Sequence, residues 1–152
     1  MNLGAPRSQR AKCRPMQPLA IRLRAARKRV VAESESDMLA ALVSAEQTVD
    51  QSGNLAFLDF VAANGSTLSM VVGGAETALS FRYAGDRDPR FLSMGDATAT
   101  GTFPCMRDAD EKIDCARWTL ISREEGLAAL NEFATSNEIP ECVQWAPFSV
   151  RR

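Results

Sequence analysis

Histidine is absent from all 152 residues, which removes the imidazole base, the usual proton shuttle and the commonest metal ligand. Four cysteines, Cys13, Cys105, Cys115 and Cys142, are too few and too scattered for a disulfide-stapled scaffold. Cys105 and Cys115 flank a short charged segment and can face each other across a hairpin. They would then be reduced and core-packed, joined as a disulfide, or part of a metal site, the first being the simplest. No uninterrupted apolar run approaches the roughly 20 residues that cross a bilayer. The first residues also lack the apolar stretch and small-residue cleavage site of a secretory signal. A cytoplasmic protein with no membrane partner is expected.

Catalytic motifs are equally scarce. The sequence has no phosphate loop, dinucleotide fingerprint or nucleophile elbow, so neither a cofactor nor enzymatic activity is expected. A carboxylate and Mg²⁺ site would have to draw on Asp86, Asp88 and Asp96, whose turn-like surroundings suit solvated loops better. Gly73-Gly74 reads as a turn between strands rather than an anion cradle. Arg117 lies two residues from Cys115, a weak means of activating a thiol with no general base in view.

Acidic residues are missing from the first 32 positions, which hold nine basic groups: Arg7, Arg10, Lys12, Arg14, Arg22, Arg24, Arg27, Lys28 and Arg29. All 19 carboxylates lie from Glu33 onward. The net charge of −1 therefore conceals an acidic body and a basic arm. With Pro6, Pro15 and Pro18 opposing a long helix, residues 1–26 are expected to form a flexible extension and residues 27–150 a single domain. Ile21, Leu23 and the Arg27 to Ala32 stretch also suit a first strand. Clustered arginines attract phosphates without a fold. Arg22, Arg24, Arg27, Lys28 and Arg29 are thus candidate contacts for a basic tail, whereas nucleic acid is not expected to bind the acidic body.

Within the body, Ser34 or Ser36 can cap a helix starting near Asp37, with Met38, Leu39, Leu42 and Val43 as its apolar stripe. Leu55 to Val61 and Thr67 to Val72 read as strands joined through Asn64-Gly65. Thr77, Leu79, Phe81 and Tyr83 alternate with Ala78, Ser80 and Arg82, the period of a half-buried strand. Arg90 to Met94 follows as another strand. Phe103 to Arg107 and Ile113 to Leu120 then flank the charged tip Asp108 to Lys112 as a hairpin. Ser122 with Glu125 forms a capping box, opening a helix whose apolar face is Leu127, Leu130, Phe133 and Ala134. Ser136-Asn137 ends it, Pro140 prevents its resumption, and Cys142 to Trp145 is short enough for a final strand. The expected class is α+β, an antiparallel sheet or meander with about two helices packed on one face.

The acidic clusters carry the functional signal. Asp108, Asp110, Glu111 and Asp114 crowd one hairpin, Asp86 and Asp88 share a turn, Asp96 sits in a loop, and Glu138 and Glu141 follow the second helix. Like charges at this density add nothing obvious to folding but steer a basic partner. Trp118 and Trp145 serve either as core rings or as interface anchors.

The order of Met70-Val71-Val72-Gly73-Gly74, Leu79-Ser80-Phe81-Arg82-Tyr83 and Ser93-Met94-Gly95-Asp96 resembles the first-numbered immunity-protein family of bacterial polymorphic toxin systems. Further on, Trp118, Ile121, Ala128-Ala129-Leu130-Asn131-Glu132-Phe133, Pro140 and Val143-Gln144-Trp145 extend the similarity, which spans roughly residues 30–148. The resemblance implies a small cytoplasmic antitoxin that binds a cognate toxin domain with a basic surface, often a nucleic-acid deaminase or a nuclease-like toxin. Inhibition would come from covering the toxin's active-site entrance. Two other classes stay open at this point: a nucleic-acid-binding accessory protein using the basic arm, and a carboxylate and Mg²⁺-dependent enzyme.

Overall fold

Alternation of apolar and polar side chains along the strands produces a sheet with two unlike faces. The computed structural model describes residues 15–148. Among the described residues ten strands form in chain order: β1 (Leu19–Leu23), β2 (Lys28–Ala32), β3 (Ala56–Ala62), β4 (Thr67–Val72), β5 (Glu76–Arg82), β6 (Phe91–Ser93), β7 (Thr102–Asp108), β8 (Glu111–Ala116), β9 (Leu120–Ser122) and β10 (Trp145–Pro147). Two helices join them, α1 (Glu35–Ser52) and α2 (Arg123–Ser136). The main sheet runs β10-β6-β5-β4-β3-β1-β2, with β9 paired to β5 and the β7–β8 hairpin attached to β3. Pairing is antiparallel except for one parallel contact, Ala56 with Met106. The fold is α+β, a largely antiparallel sheet carrying two helices.

Both helices cover the face formed by Leu19, Ile21 and Leu23 of β1, Leu58 and Phe60 of β3, Leu68 and Met70 of β4, and Leu79 and Phe81 of β5. From α1 come Met38, Leu42, Ala45 and Val49, and from α2 come Ala129, Leu130, Phe133 and Ala134. Phe60, Phe81 and Phe133 are fully buried, each such ring stabilising the fold by about 1.5–3 kcal/mol relative to exposure. Phe81 stands edge-on to Phe133 at 6.1 Å and to Trp145 at 6.5 Å. Trp145 Nε1 donates to the Pro140 carbonyl at 2.7 Å. Trp145 is thus an anchor of the main core, joining two of the segments that carry the family resemblance.

Ser34 caps α1 by accepting from the Asp37 amide. Ser122 and Glu125 form the reciprocal capping box of α2, satisfying two donors that would otherwise lack partners. A two-pronged ion pair from Arg123 to Glu46, both contacts 2.9 Å, links α2 to α1.

The Ser93-Met94-Gly95-Asp96 segment acts as a clamp. Ser93 Oγ accepts from the Leu79 amide and donates to the Thr119 carbonyl. Next to it, Gly95 donates its amide to Trp118 O. Its Cα approaches the Leu120 carbonyl so closely that a Cβ would lie 1.8 Å from that oxygen.

Several expectations change. Arg22, Arg24, Arg27, Lys28 and Arg29 are not tail residues: β1 lies between β2 and β3, and Arg24 occupies a 3-10 turn (Arg24–Ala26) between β1 and β2. The sheet therefore includes residues before 27: Ile21 and Leu23 lie in a first strand, as their apolar character allowed, and with Leu19 they form a buried row. Arg7, Arg10, Lys12 and Arg14 lie outside the described residues. On α1, Leu39 and Val43 point outward, and Ala45 and Val49 complete the stripe instead. The second hairpin strand stops at Ala116, and Trp118 falls in a 3-10 turn (Arg117–Thr119). The final strand starts at Trp145, where the expected one ended.

Candidate functional site

The sheet face turned away from the helices is only partly covered. Phe103, Cys105 and Cys115 of the β7–β8 hairpin pack on Phe57, Val71 and Ala78 in a second apolar cluster. Beside that cluster the sheet stays open. Its register sets one transverse row of side chains, Arg22, Asp59, Ser69, Ser80, Leu92 and Ala146. Thr67 pairs with Arg82 in the next row. This polar floor, the hairpin and the 87–89 loop enclose a groove of about 930 Å³.

Asp59 organises the floor. It is 7% exposed, accepts a 2.7 Å hydrogen bond from Ser69 Oγ, and faces Arg22 at 3.4 Å and Arg24 at 3.8 Å. Two guanidinium groups thus share one carboxylate, leaving a positive surplus. Their Nε atoms are buried without a hydrogen-bond acceptor among the described residues. Arg82 also lines the groove and has no ion-pair partner among the described residues.

The rims carry both signs, the carboxylates of Asp88, Glu111 and Asp114 standing with the guanidinium groups of Arg87 and Arg107. The hairpin contributes Glu111, Asp114 and Cys115 to the lining, Trp118 follows it, and Asp88, Pro89, Pro147 and Phe148 supply the remainder. Arg107 grips Glu111 through two contacts of 2.9 and 3.0 Å. That pairing holds the Glu111 carboxyl below its ordinary pKa and raises the Arg107 guanidinium. Asp88 and Asp108 add to the negative field around Arg107.

Of the acidic residues singled out by sequence, the structure brings Asp88, Glu111 and Asp114 to this groove, together with Trp118. Asp108 and Asp110 lie at the exposed hairpin tip just beyond it, Asp110 being 3.9 Å from Arg27. Asp86 holds its own turn, accepting from the Tyr83 amide and from Arg90. Asp96 accepts from the Thr98 hydroxyl and amide, which hold its carboxyl below the ordinary value. Glu138 and Glu141 are exposed near the end of α2 and do not line the groove. Lys28 reaches Thr48 on α1, and Arg29 is exposed on β2.

Sequence reading missed the floor residues Asp59 and Arg82 and the rim residues Arg87 and Arg107. The signal was present in the strands: Asp59, Ser69 and Ser80 interrupt apolar runs at alternate positions, marking a face that does not belong to the helix-side core.

The described thiols are free. Cys105 pairs in register with Ile113 and Cys115 with Phe103, so the two cysteines sit side by side rather than directly opposite. The interaction between the two neighbouring thiols lowers the Cys115 pKa and, with burial, raises that of Cys105. Among the described residues no three His, Cys, Asp or Glu side chains are grouped to hold a metal ion, and no helix is long and apolar enough to cross a membrane.

The model of the family described as Immunity protein Imm1 matches residues 21–147. The chain belongs to this family. Curated proteins yield no match. The Imm1 assignment gives the chain the general role of an immunity protein, an antitoxin that acts by binding a toxin domain and not by turnover. The match spans every strand except part of β1, and it includes both helices and the whole groove apart from Phe148.

Proposed function

We propose that this immunity protein neutralises a nucleic-acid-targeting toxin domain, of deaminase or nuclease type, by laying the groove and its rim carboxylates over the toxin's basic substrate entrance. The producing cell's cytoplasm would be the place of encounter. The observation that carries the reading is that carboxylates distant in sequence, Asp88 of the 87–89 loop and Glu111 and Asp114 of β8, line one concavity. A toxin that handles nucleic acid needs a basic surface around its substrate path. These carboxylates steer that surface and fix its orientation, while Trp118, Leu92 and Phe148 supply apolar contact.

The test is association with the catalytically inactivated toxin domain encoded by the adjacent gene. Asp88→Lys with Asp114→Lys should slow association about tenfold or more at low salt, with a smaller effect at high salt. Survival of cells expressing active toxin should fall in step. Unchanged association and unchanged protection would remove the groove from the interface.

A further inference from the structure

The proposed interface leaves open what the toxin inserts between the rims, and the floor chemistry bears on that question. We propose that the occupant is a protruding toxin segment whose tip bears a carboxylate, received by Arg82 and Arg24 on the groove floor, while basic residues flanking that tip meet Asp88 and Asp114 at the rims. This inference rests on the groove being the toxin-facing surface.

At the floor, Asp59 is already engaged by Ser69, Arg22 and Arg24, Arg24 also lies within electrostatic reach of Glu111, and Arg82 has no ion-pair partner among the described residues. Around it, Asp88, Glu111 and Asp114 line the groove together with Arg87 and Arg107, and since Glu111 is taken by Arg107, Asp88 and Asp114 are the carboxylates left without an ion pair among the described residues. A uniformly basic surface would satisfy the rims and press further positive charge onto the floor. As docking expels water, unpaired guanidinium groups become costly unless an anion arrives with the partner. Guanidinium groups receive carboxylates in a planar, two-pronged geometry, and Ser80 and Thr67 add hydroxyls to the same floor. The groove volume of about 930 Å³ accommodates several side chains rather than a single small ion. A nucleic acid strand fits poorly, because its continuous phosphates would have to pass between the rim carboxylates.

The sign of one substitution decides the matter. Arg82→Glu should weaken binding of the inactivated toxin domain at least about tenfold, and Arg82→Gln should weaken it less. Both variants should retain the circular dichroism spectrum of the parent. A toxin Asp→Lys or Glu→Lys change at the inserted tip should restore binding to Arg82→Glu. If Arg82→Glu instead leaves binding unchanged or tightens it, while the Asp88 and Asp114 reversals still weaken it, the groove remains the interface and the carboxylate-tipped occupant is wrong. Loss of every effect at both floor and rims would overturn the groove itself. A single-stranded oligonucleotide titrated by fluorescence anisotropy should not bind; Arg82-dependent binding of that probe would assign the floor to phosphate and overturn the proposal.

Discussion

Arg22 on β1 lies 3.4 Å from Asp59 on β3, and Asp59 is buried at 7% exposure while the Arg22 side chain is one third exposed. The pair ties the strand that begins the fold to the centre of the sheet. Asp59→Asn keeps the size of the side chain and an acceptor for Ser69 but removes the countercharge of two arginines. We expect a loss of about 1–3 kcal/mol, below the range for fully buried pairs because Arg22 and Arg24 remain partly hydrated. Urea unfolding measures it. The combination with Arg22→Gln should cost less than the sum of the two single changes, since the orphaned charge is then reduced.

Two glycines are expected to resist enlargement for packing reasons. At Gly95 a Cβ meets the Leu120 carbonyl at 1.8 Å, a contact with rigid backbone. Gly95→Ala must separate the 94–96 segment from the turn holding Trp118, and should lower stability by more than the 1–3 kcal/mol usual for overpacking. In α2, a Cβ on Gly126 would lie 2.5 Å from Thr77 Cγ2 and 3.1 Å from Met70 Cε. Met70 can yield, but Thr77 is buried and held by its hydroxyl's bond to the Val71 carbonyl, so Gly126→Ala should also destabilise; it should be the milder change because its clashes are with side chains and alanine's better helix propensity returns about 1 kcal/mol. Thermal unfolding of the two variants gives the order.

The capping box supplies a smaller and more local effect. Ser122→Ala removes the hydroxyl that accepts from the Glu125 amide and donates to Glu125 Oε1, and leaves the backbone amide of residue 122 as that carboxylate's remaining contact in the box. The expected loss is about 1 kcal/mol. Hydrogen exchange should quicken first at the amides of residues 123–125, whereas a general loosening of the sheet would contradict a role confined to the helix terminus.

Local chemistry made much of this fold legible. Both helix caps, the strands on either side of Asn64-Gly65, and the alternation through Phe81 depend on near neighbours in sequence, and all form where expected. What depends on distant pairing was hidden. Ile21 and Leu23 suit a first strand, yet the domain boundary read from sequence falls after them, at residue 27, because their role as a central strand depends on pairing with β3 and on Asp59 as a partner for the arginines. Leu39 and Val43 suited an apolar stripe by spacing, yet the axis of α1 over the sheet selected Ala45 and Val49. The rim carboxylates were visible as clusters. The groove was not, since its floor arises from β1, β3, β4 and β5 meeting in one register, and no linear motif records that row.

At the hairpin tip, Glu111 is held below its ordinary pKa by Arg107, chiefly through their hydrogen bonds. A lowered carboxylate pKa favours the folded arrangement at pH values above the unfolded value, and that contribution disappears as pH falls through the folded value. An NMR titration of Glu111 should therefore show a midpoint below the ordinary glutamate range, near 4.3, and Arg107→Gln should move it back up. An unchanged midpoint in Arg107→Gln would show that the bidentate pair is not maintained in solution.

The three described thiols should separate by reactivity, because the thiolate is the species that is alkylated. Cys115 is half-buried and its pKa is lowered by its interaction with the neighbouring Cys105 thiol, so it should react first with iodoacetamide. Cys105 is buried and its thiol is pushed up by that same interaction, which should protect it until the hairpin opens. Cys142 is exposed, yet partial burial and the neighbouring Glu132 push its thiol up to about 11. At pH 8 only about one molecule in a thousand then carries the Cys142 thiolate. Its alkylation should accelerate close to tenfold per pH unit from pH 8 toward pH 10, while Cys115 flattens earlier. Peptide mass mapping in a Cys13→Ser background follows the three sites separately. If Cys105 were modified as fast as Cys115 in the folded protein, the hairpin would have to open far more readily than its packing against Phe57, Val71 and Ala78 allows.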